Sequence, residues 1–126
     1  VQYTTSGVAQ FMQQGALAAI RDGDPVIAEN YERARIGRDI FCDRLLATNR
    51  VETLKPDGAL YAFLKVDGLT DSRKAALDIL DKTGVGLAPG SAFGPGGEPF
   101  LRACFLRNAD QLEDAAERLA DYIAGI

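Results

Sequence analysis

Along this chain the apolar positions recur first with a helical period, then with a strand period, and the two alternate to the C-terminus. Val8, Phe11, Met12, Gly15 and Ala19 fall near one helical stripe and predict a short helix over about 7–21. Asp22-Gly23 ends it. Asp24-Pro25 opens the next helix, with Asp as N-cap and Pro at the first helical position. That helix is predicted over about 25–48: Ile27, Tyr31, Ala34, Phe41 and Leu45 step along one face, while Glu32, Arg35, Asp39 and Asp43 mark a wetter side. The charges across 29–44 read as a solvated helix face with i,i+4 pairs.

Val51-Glu52-Thr53-Leu54 is a short predicted strand, and Lys55-Pro56-Asp57-Gly58 is a turn by composition. A longer strand is predicted over 59–66. Tyr61 and Phe63 within it read as core, and Tyr3 and Tyr31 as packing residues. A helix over about 72–83 follows, with Ala76, Leu77 and Leu80 on its core side and Gly84 as its stop. Val85-Gly86-Leu87-Ala88 reads as a short strand, and the stretch from Pro89 to Pro99 as a long Gly/Pro loop of a length that tends to serve function. Phe100-Leu101-Arg102-Ala103-Cys104-Phe105-Leu106 reads as a strand apolar on both faces, with Leu101, Ala103 and Phe105 on one side. Asp110 with Glu113 forms a capping-box-like start to a closing helix over about 110–124, carrying Leu112, Ala115, Leu119, Tyr122 and Ile123 inward. Thr4-Thr5-Ser6 fits a helix entry, a frayed end or a contact at a domain junction.

This order predicts an α/β (α+β) two-layer sandwich, a small mixed or antiparallel sheet of about four strands with helices on one face. If Leu101, Ala103 and Phe105 are not covered within the chain, a missing partner must cover them.

Composition narrows the chemistry. The 126 residues suit one domain, 1–126, with 47% hydrophobic and 25% charged residues, ordinary for a folded domain. A net charge of −4 leaves no basic face for nucleic acid or an anionic membrane, and no apolar run approaches a membrane span. Histidine is absent, which removes the commonest general base and metal ligand. Cys42 and Cys104 stand apart without a motif and read as buried thiols, not a disulfide or metal site. The N-terminus shows neither a start Met nor a signal-peptide pattern, so the chain is expected to be a piece of something longer.

Arg102 is the candidate site residue. A guanidinium in an apolar strand must find an anion or bear a large desolvation cost, and its planar fork suits a carboxylate held by two parallel hydrogen bonds. A structural pair with Glu98 or Asp67 is the plain alternative. By its residues alone the Pro89–Gly97 stretch reads as turn chemistry, and it is weak as a phosphate cradle, because no helix follows and no Gly-Lys-Ser/Thr is present.

Four segments, in order, resemble the C-terminal small domain of class I/II aminotransferases, the aspartate aminotransferase-like group of pyridoxal-phosphate fold type I. They are Gln10-Phe11-Met12-Gln13-Gln14-Gly15-Ala16-Leu17-Ala18-Ala19-Ile20, Tyr31–Asp39, Lys55-Pro56-Asp57-Gly58-Ala59-Leu60-Tyr61-Ala62-Phe63, and Gly84–Gly94 with Gly97-Glu98 and Leu101–Phe105. The resemblance covers nearly the whole chain. It implies that Arg102 grips the substrate's α-carboxylate and that Pro89, Gly90, Ser91, Phe93 and Gly94 form a loop at the edge of the active site. Glycines there would let the backbone pass close to bound substrate.

The resemblance also implies that the Schiff-base lysine, the phosphate cup and the acid that pairs with the pyridine nitrogen lie upstream. Lys55, Lys65, Lys74 and Lys82 match none of these motifs. So this chain is expected to hold neither catalytic nor cofactor-binding nor metal-binding residues, to be silent alone, and to bind no pyridoxal 5'-phosphate by itself. The parent is expected to be a cytoplasmic homodimer that moves an amino group between an amino acid and a 2-oxo acid. This piece would close over the substrate against the missing large domain, with residues 1–22 as a junction helix. A lyase or synthase of the same fold, or a non-enzymatic domain binding small acids or a partner, are the alternatives.

Overall fold

The computed structural model describes residues 7–126, and the chain divides into two compact units, one ending at Glu32 and one running from Arg33 to Ile126. Tyr3 and Thr4-Thr5-Ser6, which carried expectations of packing and of a helix start, lie outside the described residues.

The first unit holds helix α1 (Gln10–Asp22) and the start of helix α2 (Asp24–Leu46). Gly23, not Asp24, takes the cap position: its carbonyl accepts from Ile27 N at 3.0 Å, and Asp24 lies in the first turn, where its charge complements the helix N-terminus. No α1 residue is buried, and Ile27 and Tyr31 on α2 are also exposed. The expected inward stripe on α2 therefore begins later, at Ala34, Phe41 and Leu45. Periodicity identifies an apolar side; it cannot say whether anything covers it.

The second unit is built on a four-stranded, wholly antiparallel sheet in the order β1-β2-β4-β3. Its strands are β1 (Val51–Glu52), β2 (Tyr61–Val66), β3 (Ala88–Pro89) and β4 (Phe100–Cys104). The strand predicted to begin at residue 59 begins at Tyr61, because Ala59 sits at φ 59 and completes the preceding turn. Burial alternates along β2 and β4: Ala62, Leu64, Val66, Leu101 and Ala103 enter the core, followed by Phe105 just past the strand. So the question of what covers Leu101, Ala103 and Phe105 is answered within the chain.

Helices α3 (Ser72–Thr83) and α4 (Ala109–Ala124) and the later part of α2 supply the rest of that core, through Phe41, Cys42, Leu45, Ile79, Leu119 and Ile123. Gly37 allows α2 to approach the chain after β4: a Cβ there would stand 2.2 Å from the Phe105 carbonyl oxygen. Burial pushes the Cys42 thiol up and keeps it protonated, as expected of a small hydrophobe. Cys104 departs from that expectation; it is half-buried on the opposite sheet face.

Helix α3 runs over the predicted residues. Asp71 Oδ1 accepts from Lys74 N at 2.9 Å at its start, and Gly84 at φ 71 ends it. Of its predicted inward residues Ala76 is buried as expected, but Leu77 and Leu80 are exposed. Ser72, Ala75 and Ile79 complete the buried face. The small residues let α3 lie close on the sheet and bring Ser72 to a carboxylate described below. The capping box at α4 is also absent: Asn108 takes the cap position without a side-chain bond, so Asp110 falls inside the first turn.

Two polar contacts tie α3 to α4. Arg118 Nη1 donates to the Thr83 carbonyl oxygen at 2.7 Å. Tyr122 Oη donates to Asp78 Oδ2 at 2.5 Å, and Lys82 Nζ pairs with the same oxygen at 2.9 Å. Burial, then the Asp78 bond, pushes the phenol up to about 12 from an ordinary 10.0. The Tyr122 bond, then that of Lys82, holds the Asp78 carboxyl below its ordinary value. A raised Tyr122 contributes stability that is complete below its unfolded value and lost as pH climbs from about 10 through about 12. A lowered Asp78 contributes stability above its ordinary value that is lost as pH falls past it. Tyr122→Phe is therefore expected to melt below the wild type at pH 8, with the gap closing across the alkaline window. Melting curves of both proteins test this, and a gap that stays constant to the top of the window would refute it.

Candidate functional site

The sheet face that the helices leave open carries Tyr61, Phe63 and Lys65 from β2 and Phe100, Arg102 and Cys104 from β4. Register sets the neighbours. Phe63 and Ala88 stand opposite Arg102, and Tyr61 stands opposite Cys104, one diagonal step away on the same face. Tyr61, 41% exposed, and Phe63, 36% exposed, are thus not core as expected: the period-two pattern of β2 puts Ala62 and Leu64 inward, and the larger rings outward.

Those rings surround the arginine. Arg102 Cζ lies 4.2 Å from the Tyr61 ring centroid and 4.3 Å from that of Phe93. Phe93 in turn meets Phe63 edge-on, with centroids 5.7 Å apart and planes at 70°, and Phe63 lies 5.7 Å from Phe100. Among the described residues the guanidinium makes no hydrogen bond or ion pair, so neither structural alternative, Glu98 or Asp67, is realised. The cation lies over two weakly polar rings, and its N–H donors are unspent on the described residues.

Glu98 is engaged elsewhere. Its Oε2 accepts from Ser72 N at 2.9 Å and its Oε1 from Ser72 Oγ at 2.8 Å. The carboxylate thereby satisfies an orphan donor at the start of α3. Ser72 Oγ also accepts from Ser91 N at 3.2 Å, and the two hydroxyl oxygens lie 3.0 Å apart. Ser72 is 1% exposed, so this network is the polar buckle that fastens the glycine loop to α3. Sequence reasoning missed Ser72 and Tyr61, and only Ser72 left a trace, as the polar residue at a helix start.

The loop is folded, not extended. Pro89 ends edge strand β3, where a missing N–H is tolerated. Gly90–Phe93 and Pro95–Gly97 form two 3-10 turns around Gly94, which sits at φ 114. Gly90 and Gly97 are buried against each other: a Cβ on Gly90 would stand 2.1 Å from the Gly97 carbonyl oxygen, and one on Gly97 1.9 Å from that of Gly90. The close approach that these two glycines permit is therefore of the loop to itself. It carries Ser91 to the buckle and Phe93 to Arg102. Beside the site, Tyr61, Phe63, Phe100, Leu54 and Val51 line an apolar groove of about 770 Å³.

An aldehyde cofactor requires a lysine amine kept unprotonated by its surroundings. Lys55 lies 2.6 Å from Asp43, and that bond pushes its pKa up, which favours the inert ammonium form. Lys65 pairs with Glu52 at 3.0 Å, Lys82 pairs with Asp78, and Lys74 lies exposed on α3. The described residues do not fit an anchor for pyridoxal phosphate. No helix of the described residues is long and apolar enough to cross a membrane, and no cluster among them could hold a metal ion.

No family model matches the chain. Among curated proteins, it is 35% identical over 119 residues to the LL-diaminopimelate aminotransferase of Nitratidesulfovibrio vulgaris (strain DSM 19637 / Miyazaki F), covering 92% of this chain and 30% of that protein. Among solved structures, the aspartate aminotransferase of Thermotoga maritima superimposes with a TM-score of 0.78 at 31% identity, over 96% of this chain and 30% of its own. A crystal structure of a Pyrococcus protein, A1, superimposes with a TM-score of 0.89 at 29% identity, over 98% of this chain and 32% of its own. The chain thus spans about a third of the length of these proteins.

Proposed function

We propose, for a chain that matches the C-terminal small domain of class I/II aminotransferases in sequence and in fold, that it captures the α-carboxylate of an amino-acid substrate through Arg102. One observation carries this reading: a guanidinium lying over two aromatic rings with none of its donors spent on the described residues. A carboxylate would complete it with two parallel, charge-assisted hydrogen bonds. The folded loop from Pro89 to Gly94 would border the bound substrate and present Phe93, with Gly90, Ser91 and Gly94 giving it its shape. Pyridoxal phosphate, which supplies the electron sink for amino-group transfer, would be held by residues outside this chain. The chain's part is to bind, to orient the α-amino group towards that cofactor, and to close the cleft. Amino acids and 2-oxo acids are the proposed substrates of the whole protein, a cytoplasmic homodimer in which residues 1–22 join this part to a larger one.

Product analysis tests the reaction class. Given an amino acid and a 2-oxo acid, the whole protein is expected to yield the matching 2-oxo acid and a new amino acid in equal amounts. Release of a thiol, or formation of a condensed product without amino-group exchange, would assign it to lyases or synthases instead. A second prediction concerns the cofactor. Pyridoxal phosphate mixed with this chain alone is expected to show no specific new absorbance band, and borohydride to fix no stoichiometric adduct at a single lysine. Such an adduct, found by peptide mass mapping, would contradict the assignment of the cofactor to another part.

A further inference from the structure

From the proposed carboxylate capture, on which this rests, we infer that Tyr61 and Phe93 are positioning residues that fix the plane of the Arg102 guanidinium and thereby select flat carboxylates over tetrahedral oxyanions.

The argument begins with the shape of the cation. All five guanidinium donors lie in one plane, while its two faces are poorly hydrated and stack readily on aromatic rings. In this chain rings from two separate elements stand 4.2 and 4.3 Å from Cζ. Tyr61 comes from β2, and Phe93 from the 3-10 turn after β3. The two rings do not pair with each other; Phe93 pairs with Phe63 instead. Each therefore has its own contact with the cation, and 4.2 or 4.3 Å is too short for an oxygen to lie between Cζ and either ring.

Approach to the arginine is thus confined to its edge. A carboxylate fits, because both oxygens can lie in the plane of two N–H donors. A sulfonate of equal charge has three tetrahedral oxygens. Two can reach the donors, and the third is driven out of the plane towards a ring. The placement of the rings is not explained by core packing, since Tyr61 is 41% and Phe93 47% exposed. It is explained by the register that puts Tyr61 diagonal to Arg102, and by the Ser72–Ser91 contact that fixes the turn bearing Phe93.

Propanoate and ethanesulfonate test this, because they match in charge, differ in head-group shape and carry no amine to react. Their dissociation constants are measured by calorimetry on the whole protein at one ionic strength. The variants are Tyr61→Leu, Phe93→Leu, Tyr61→Phe and Arg102→Leu. Each leucine variant is expected to reduce the preference for propanoate over ethanesulfonate by about 5-fold, the scale of one desolvated cation–ring contact. Tyr61→Phe keeps the ring and is expected to keep the preference. If Arg102→Leu abolishes propanoate binding but both leucine variants retain the wild-type ratio, or weaken the two acids equally, the positioning role is overturned while carboxylate capture stands. If Arg102→Leu leaves propanoate binding intact, the capture reading falls and the positioning role falls with it.

Discussion

Replacing Arg102 with leucine in the whole protein is expected to lower kcat/KM for amino-acid substrates by about 10²–10³-fold. The loss corresponds to roughly 3–4 kcal/mol, the scale of a bidentate, charge-assisted pair in a partly desolvated site. Leucine removes the donors and also the partner of two rings, so the substrate loses both its grip and its orientation. The fold is expected to persist. Arg102 lies on the open sheet face, makes no hydrogen bond to the described residues, and flanks the core positions Leu101 and Ala103 without entering them. Arg102→Lys should recover only part of the loss, since an ammonium keeps the charge but lacks the fork and stacks less well. Steady-state kinetics on a correctly folded variant decide the matter. A change of less than about 3-fold in kcat/KM, under 1 kcal/mol, would mean that the carboxylate is held elsewhere.

The second large effect is structural and reaches the site indirectly. Gly90→Ala is expected to destabilise the chain by about 3 kcal/mol, because its new methyl would meet two carbonyl oxygens of the backbone, those of Gly97 at 2.1 Å and Phe100 at 2.5 Å. Neither can yield as a flexible side chain would. The loop must open, which pulls Ser91 from Ser72 and Phe93 from Arg102. For a chain of this length the melting temperature should fall by roughly 10 °C. Gly96→Ala is the internal control: it lies in the same loop with nothing within 4 Å of a built Cβ, and is expected to change stability by less than about 0.5 kcal/mol. Thermal melts that place Gly90→Ala beside Gly96→Ala would overturn this account of the loop.

Both effects depend on contacts closed by the fold, between β2, β4 and the loop in one case and within the loop in the other, which explains where the sequence was readable. The helix over 72–83 was legible to the residue, because a terminal glycine is a local signal. Its inward face was legible only in part. Leu77 and Leu80 are the more hydrophobic choice, but Ala75, Ala76 and Ser72 let the helix approach the sheet and meet Glu98. Of the short strands, the first starts at Val51 as predicted but stops at Glu52, and the one predicted over 85–88 lies at Ala88–Pro89, since two-residue ladders are defined by their partners rather than by their own pattern.

The sequence by itself determined the alternation of elements, the small sheet, the absence of histidine, and Arg102 as a cation in need of an anion. Those are properties of residue type and local spacing. The tertiary structure alone decided that Glu98 is spent on Ser72, that Tyr61 and Phe93 hold the guanidinium, and that Gly90 and Gly97 shape the loop that brings Phe93 there. These depend on distances of a few ångströms between segments that strand register and close backbone packing bring together, and local spacing carries no record of them.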